Sequence, residues 1–136
     1  MAEETLVLVK PDAVKHGHIG EIITMFEHKK YTIKQLKVVQ ATKEQLREHY
    51  AHLVGEPFYP GIEGFMMDGP LVAMVVEGNG VVHAAHILAG ATNPEDAAPG
   101  TIRGLYARTW DDKIIRNAVH TSDSIENAKR EIKIWF

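Results

Sequence analysis

Groups able to do chemistry concentrate in one stretch: Asn117, His120, Ser122, Asp123 and Ser124 fall within eight residues. A neutral imidazole is a competent nucleophile, and the free N–H groups at a helix start suit an anionic ligand. Glu131 belongs to the helix that should follow, where it can hydrogen-bond one ring nitrogen of His120 and leave the other lone pair open for attack. The same residues fit a plainer reading, in which Ser122 to Ser124 cap a helix and His120 is an ordinary surface histidine.

Three further side chains suit a planar, anionic ligand. Lys10 closes an apolar run just before Pro11, where an ammonium can point into a cleft and pair with a phosphate, or simply stay solvated. Arg103 offers a two-pronged donor for phosphate oxygens, or one that braces its own loop. Phe58, between Pro57 and Tyr59, presents a ring on which a base can stack, or anchors a loop. His49 and His52 are three apart on an expected helix, and so are His83 and His86. A zinc site wants three or four ligands with supporting partners, and nothing in the sequence forces the pairs together. Neither Gly-x-x-x-x-Gly-Lys nor Gly-x-Gly-x-x-Gly occurs, so a phosphate site here must be built from scattered side chains.

The elements that must position these groups follow from periodicity. Thr5 to Val9 reads as a buried strand, and Ile19, Ile22, Ile23 and Phe26 recur at helical spacing. Tyr31 to Gln40 is rich in β-branched residues and reads as a strand. Thr42 with Gln45 forms a capping pattern for a helix reaching about Leu53, and Ile62, Phe65 and Met66 mark a second, shorter one. Leu71 to Val76 is a short, continuous apolar run of the kind found in a central strand. A small-residue helix is expected from Gly80 to Ala89, and an irregular segment from Gly90 to Gly104, of a length that is usually functional. A helical turn over Asp112 to Arg116, a short extended piece at Ala118 to His120, and a final helix with Ile125, Ala128, Ile132 and Trp135 on one face complete the chain. This order suits an α+β fold: a ferredoxin-like sandwich whose four-stranded, mainly antiparallel sheet is covered by helices on one face.

Composition narrows the class. The 136 residues suit one domain, 1–136. With 15 Lys plus Arg against 18 Asp plus Glu, the net charge of −3 lacks the basic balance of a dedicated nucleic-acid binder. Cysteine is absent, which excludes disulfides, thiolate zinc sites and a cysteine nucleophile, and fits a reducing compartment. The acidic start and the lack of any long apolar run predict a soluble, cytoplasmic protein with no membrane span.

Read in order, eight segments carry a resemblance: Val9 to Asp12, His49-Tyr50, Pro57-Phe58, Phe65-Met66 with Gly69-Pro70, Gly90 to Pro94, Pro99 to Gly104, Asn117 to His120 with Ser122 to Ser124, and Glu131 to Phe136. The chain resembles the nucleoside diphosphate kinases over nearly its whole length. That resemblance implies a magnesium-dependent ping-pong phosphotransferase, in which the γ-phosphoryl of a nucleoside triphosphate such as ATP passes to His120 and then to a nucleoside diphosphate. It implies that Lys10, Tyr50, Thr92, Arg103 and Asn117 bind phosphates and sugar, that Phe58 stacks on the base, and that Ser122 and Glu131 orient His120. Magnesium (Mg2+) would arrive on the nucleotide phosphates rather than in a protein cage. The family likeness also implies a homo-oligomer, a hexamer or alternatively a tetramer.

Three positions depart from the family pattern. His86 stands where an arginine is usual, replacing a permanent bidentate cation with a group near pKa 6.5 and predicting slower transfer. Thr121 follows the catalytic histidine where glycine is usual, which matters if that backbone needs a positive φ. The segment from Gly104 to Asn117 is longer than the common form, with Trp110 to Lys113 in the extra length. These departures keep open a non-catalytic, nucleotide-binding regulatory module on the same fold. An RNA-binding module needs aromatic residues on its central strands, and Thr5 to Val9 and Leu71 to Val76 contain none.

Overall fold

The computed structural model describes residues 2–112 and 114–136. Met1 and Lys113, the latter part of the expected longer loop and helical turn, lie outside the described residues. Strand β1 (Ala2–Val9) is the heart of the sheet, and Leu6, Val7, Leu8 and Val9 are all fully buried. It pairs antiparallel with β3 (Leu71–Asn79) on one side and with β4 (Val119–Thr121) on the other. Strand β2 (Thr32–Val39) pairs antiparallel with β3 and forms the far edge, giving the order β2-β3-β1-β4. This is the expected four-stranded ferredoxin-like arrangement.

Helices cover both faces of the sheet rather than one. Val7, Val9, Val72, Met74 and Val76 pack against α2 (Ile19–His28) and α5 (Val81–Ala89). Leu6, Leu8, Leu71 and Ala73 face the other way, onto Leu46 of α3 (Lys43–His49), Met66 of α4 (Tyr59–Met66) and Trp135 of α7 (Ile125–Trp135). The unbroken apolar runs in β1 and β3 reflect this, since a strand covered on both faces has no polar alternation. Among the described residues no helix is long and apolar enough to cross a membrane.

Local signals explain most element ends. Thr42 and Gln45 form the full reciprocal capping box, but α3 stops at His49 rather than near Leu53. Lys10 is followed at once by a short helix, α1 (Pro11–Lys15), whose first position Pro11 fills; the sequence suggested only a turn. The segment expected to be irregular holds a 3-10 turn (Pro94–Asp96) and α6 (Ile102–Tyr106), each capped by a side chain, Asn93 and Thr101 respectively. The helical turn expected over Asp112 to Arg116 does not form among the described residues. Asp112 instead accepts the Ile114 N–H at 3.2 Å and pairs with the Arg116 guanidinium at 2.8 and 2.9 Å, a local bonding pattern that competes with a helix.

Candidate active site

His120 is the middle residue of β4, paired across from Leu8 on β1. Ser124 caps α7 by accepting the Asn127 N–H at 3.0 Å, so the chain turns back and carries Glu131 beneath the imidazole. His120 Nε2 lies 2.9 Å from Glu131 Oε1, and the Ser122 hydroxyl donates to the same oxygen at 2.7 Å. Ser122 is itself held by the Leu6 N–H, 3.2 Å from its oxygen. A carboxylate oxygen at Nε2 requires the Nε2–H tautomer, so the ring's lone pair sits on Nδ1. Burial lowers the His120 pKa; Glu131 opposes the shift, while the Lys10 and Arg103 charges add to it. The imidazole is thus kept neutral and nucleophilic.

A second cluster lies on the N-terminal side of β4. The Lys10 ammonium donates to Asn117 Oδ1 at 2.8 Å, and the Asn117 amide donates to the Thr92 carbonyl at 2.9 Å. Burial, and then the Arg103 charge, push Lys10 down to about 8 against the pull of Asp12. Arg103 is buried and donates to the carbonyls of Asn117 at 3.3 Å, Gly90 at 2.7 Å and Val119 at 2.8 Å. Burial pushes it down to about 10, so it stays cationic. Three of its five N–H groups brace backbone, and two remain for an anion. Gly90 itself sits at φ +88, with its carbonyl turned toward that guanidinium.

The other expected residues are placed less tightly. Tyr50 packs its ring against His49 at 4.7 Å, and burial pushes its phenol pKa up. It lines a cavity of about 510 Å³ together with His52, His120, Thr121, Asp123 and Arg130. Phe58 is 55% exposed at the start of α4, free to stack on a flat ligand. The Thr92 side chain is exposed, and His86 is exposed on α5 without a bonded partner among the described residues. The concern over Thr121 does not arise. It lies in β4 with its side chain buried, and among the described residues the positive-φ non-glycine residues are Lys30 and Ala118.

Four contributors escaped the sequence reading. Asp12 accepts the Ala118 N–H at 3.0 Å beneath β4. Arg130 donates to the carbonyls of Glu48 at 2.8 Å and His49 at 3.3 Å, tying α7 to the end of α3. His49 is buried, with its ring centre 4.4 Å from that of His120 at 75°, and its Nδ1 accepts the Trp135 indole N–H at 3.1 Å. Burial, then the charges of His120, Lys10, Arg130 and His52, push the His49 pKa down to about 2. Among the described residues neither histidine pair noted from spacing forms a ligand set: His49 lies with His120 and Glu131 instead of His52, and His83 and His86 are both exposed. The available signal was the position of His49 and Trp135 on the apolar faces of their helices. Spacing does not say that those two faces meet.

Comparison with known proteins gives one consistent result. The family model for nucleoside diphosphate kinase matches residues 3–136. A nucleoside diphosphate kinase of Streptococcus thermophilus is 47% identical over 134 residues, covering 98% of each chain. One from Schizosaccharomyces pombe is 48% identical, covering 98% of this chain and 86% of its own. The crystal structure of the nucleoside diphosphate kinase from Encephalitozoon cuniculi superposes with a TM-score of 0.93 at 40% identity, over 98% of this chain and 88% of that one. Sequence over nearly full length and backbone shape therefore agree, and the chain belongs to the nucleoside diphosphate kinase family.

Proposed function

We propose that residues 1–136 form one catalytic domain in which His120 carries the phosphoryl group through Nδ1. The observation that carries this reading is the bond from His120 Nε2 to Glu131, which leaves Nδ1 with the free lone pair. In the first half-reaction that pair attacks the γ-phosphorus of a nucleoside triphosphate. The N–P bond forms, the bridging P–O bond breaks, and its electrons leave on the β-phosphate of the departing diphosphate. The Nε2 proton stays on the ring, where Glu131 stabilises the charge and Ser122 holds the carboxylate. In the second half-reaction a terminal oxygen of an incoming diphosphate attacks the same phosphorus, and the pair returns to Nδ1.

Lys10, Arg103 and Asn117 hold the phosphates, with Tyr50 and Thr92 toward the phosphates and sugar and Phe58 against the base. Stacking without contacts to the base edges tolerates any base. His86 contributes less than a permanent cation would, which slows transfer. The donors grouped beside the cavity are two imidazoles and one carboxylate, a set poorly matched to magnesium, which takes oxygen ligands and keeps its waters. The fit is to magnesium carried by the nucleotide's own phosphates, where it would supply charge neutralisation. The protein acts in the cytoplasm as a homo-oligomer, a hexamer ahead of a tetramer. Leu36 (52% exposed) and Val38 (67%) on the edge strand β2 support self-association.

Intact mass after incubation with ATP and magnesium tests the route. The natural chain gains one phosphate, which acid removes and a different nucleoside diphosphate takes up; His120→Ala gains none. Nucleotide binding without any phosphate on the natural chain would leave the non-catalytic module as the reading.

A further inference from the structure

The ligating atoms of His49, His120 and Glu131 all lie within 4.8 Å of one another. Two imidazoles and a carboxylate are the protein ligands of many catalytic zinc sites. A zinc-class ion there would break the His120–Glu131 bond and seize the nucleophile's ring. The third member of the cluster stands against this. A neutral imidazole has one in-plane lone pair and one N–H. Trp135 Nε1 can only donate, and it donates to His49 Nδ1 at 3.1 Å. The lone pair of His49 is therefore spent, and its proton sits on Nε2.

Each route to ligation is costly. Binding through Nε2 requires either an imidazolate or a proton moved to Nδ1, where it would meet the indole N–H head on. Binding through Nδ1 strands a buried donor, since His49 and Trp135 are 2% and 1% exposed and water has little access.

We propose that Trp135, by holding His49 in its Nε2–H form, keeps zinc-class ions out of the His49–His120–Glu131 cluster and so keeps His120 available for phosphoryl transfer. Trp135 is a positioning residue that acts through His49. The consequence for activity rests on His120 being the nucleophile; the exclusion of metal does not.

The test uses the full chain, freed of metal with a chelator, and compares the natural protein with Trp135→Phe, His49→Phe and the double variant. Cobalt(II) is the probe of occupancy, because a low-coordinate site gives intense visible bands. The natural chain gives no more of this signal than His49→Phe. Trp135→Phe gives strong bands, and the double variant loses them. Zinc blocks phosphohistidine formation in Trp135→Phe at about a tenfold lower concentration or less than in the natural chain, as expected from releasing a buried hydrogen bond, and chelator restores it. Equal cobalt signals in Trp135→Phe and the natural chain overturn the proposal. So does a natural chain whose cobalt bands depend on His49, an arm that needs no folded Trp135 variant. A natural chain free of zinc and cobalt that forms no phosphohistidine with ATP and magnesium would instead sink the catalytic reading and leave the cobalt result standing.

Discussion

Asp12 Oδ2 accepts the backbone N–H of Ala118 at 3.0 Å, joining positions 106 residues apart. The carbonyl of Ala118 is taken by the Lys10 N–H at 2.8 Å, so the start of α1 grips this peptide on both sides. Ala118 sits at φ +69, a region that costs an L-residue about 1–2 kcal/mol. The grip sets the direction in which Val119 and His120 leave, and it connects Lys10 to the strand that carries His120.

Asp12→Ala therefore costs both stability and rate. Stranding the buried Ala118 N–H removes about 1–3 kcal/mol, read as a lower denaturation midpoint. Phosphohistidine formation slows as well, because the peptide relaxes and His120 swings. Adding Ala118→Gly makes φ +69 accessible again and returns part of the rate. It returns little of the stability, since the relief of about 1–2 kcal/mol is offset by the lost buried methyl, about 0.8 kcal/mol, and by the entropy glycine adds to the unfolded chain, about 0.5–1 kcal/mol. Equal rates with and without the second change would show that Asp12 acts only on folding.

The contrast between the two halves of the site explains what a sequence can disclose. His120, Ser122, Ser124 and Glu131 lie within one strand–cap–helix stretch, where the capping residue and the helical period predict their meeting. Thr42 and Gln45 were legible for the same reason. Asp12 with Ala118, and His49 with Trp135, are 106 and 86 residues apart, and their contacts follow from which helix packs on which sheet face. No local pattern encodes that. Arg103 was legible as a cation but not as a brace for three carbonyls, because α6 is too short to show a period. The second helical layer was hidden too, since a run such as Leu6 to Val9 says that a strand is buried without saying what covers each face.

A second positive-φ residue lies far from the site. Lys30 follows α2 at φ +68; its N–H bonds the Glu27 carbonyl at 2.9 Å, and the Tyr31 N–H bonds that of Phe26 at 3.3 Å. This is the Schellman ending that glycine favours. Lys30→Gly should stabilise the fold by about 0.5–1 kcal/mol, the relief of strain less the entropy glycine adds to the unfolded chain. Urea denaturation measures it, with Lys30→Ala unchanged as the control. No gain from glycine would mean that the turn is not strained.

Acid should weaken the fold in a way traceable to His49. Its folded pKa is pushed down to about 2, below the ordinary histidine value near 6.5. Below pH 6.5 the unfolded chain takes up a proton at His49 that the folded chain refuses. Stability is thus intact above about 6.5 and falls as pH drops, by about 1.4 kcal/mol per pH unit for this one group. His49→Phe should remove about that much slope between pH 6.5 and 5, whatever it does to stability at pH 8. An unchanged slope would mean that His49 is protonated inside the folded protein.

Alkali should weaken nucleotide capture through Lys10. With its pKa pushed down to about 8, the Lys10 ammonium proposed to hold phosphate is lost above that pH in the free enzyme. The profile of kcat/KM should bend downward near pH 8 and approach a tenfold loss per unit. Lys10→Arg, whose charge persists, should be slower overall but flat across the same range. A bend that survives in Lys10→Arg belongs to another group.

His86 offers the clearest route to a faster enzyme. The side chain is exposed on α5, unpaired among the described residues, and sits in the turn before Gly90, whose carbonyl is bonded to Arg103. Nothing packed against it would be disturbed by a longer side chain. If it faces the phosphates, His86→Arg adds a charge-assisted bond worth about 1.5–3 kcal/mol, or roughly 10–150-fold in kcat/KM. Because arginine stays charged, that gain should persist at pH 8. Lysine at the same position should recover only part of it, lacking the two-pronged donor. Unchanged nucleotide affinity and turnover in His86→Arg would place this helix outside the phosphate site, and the slower transfer expected from the histidine would fall with it.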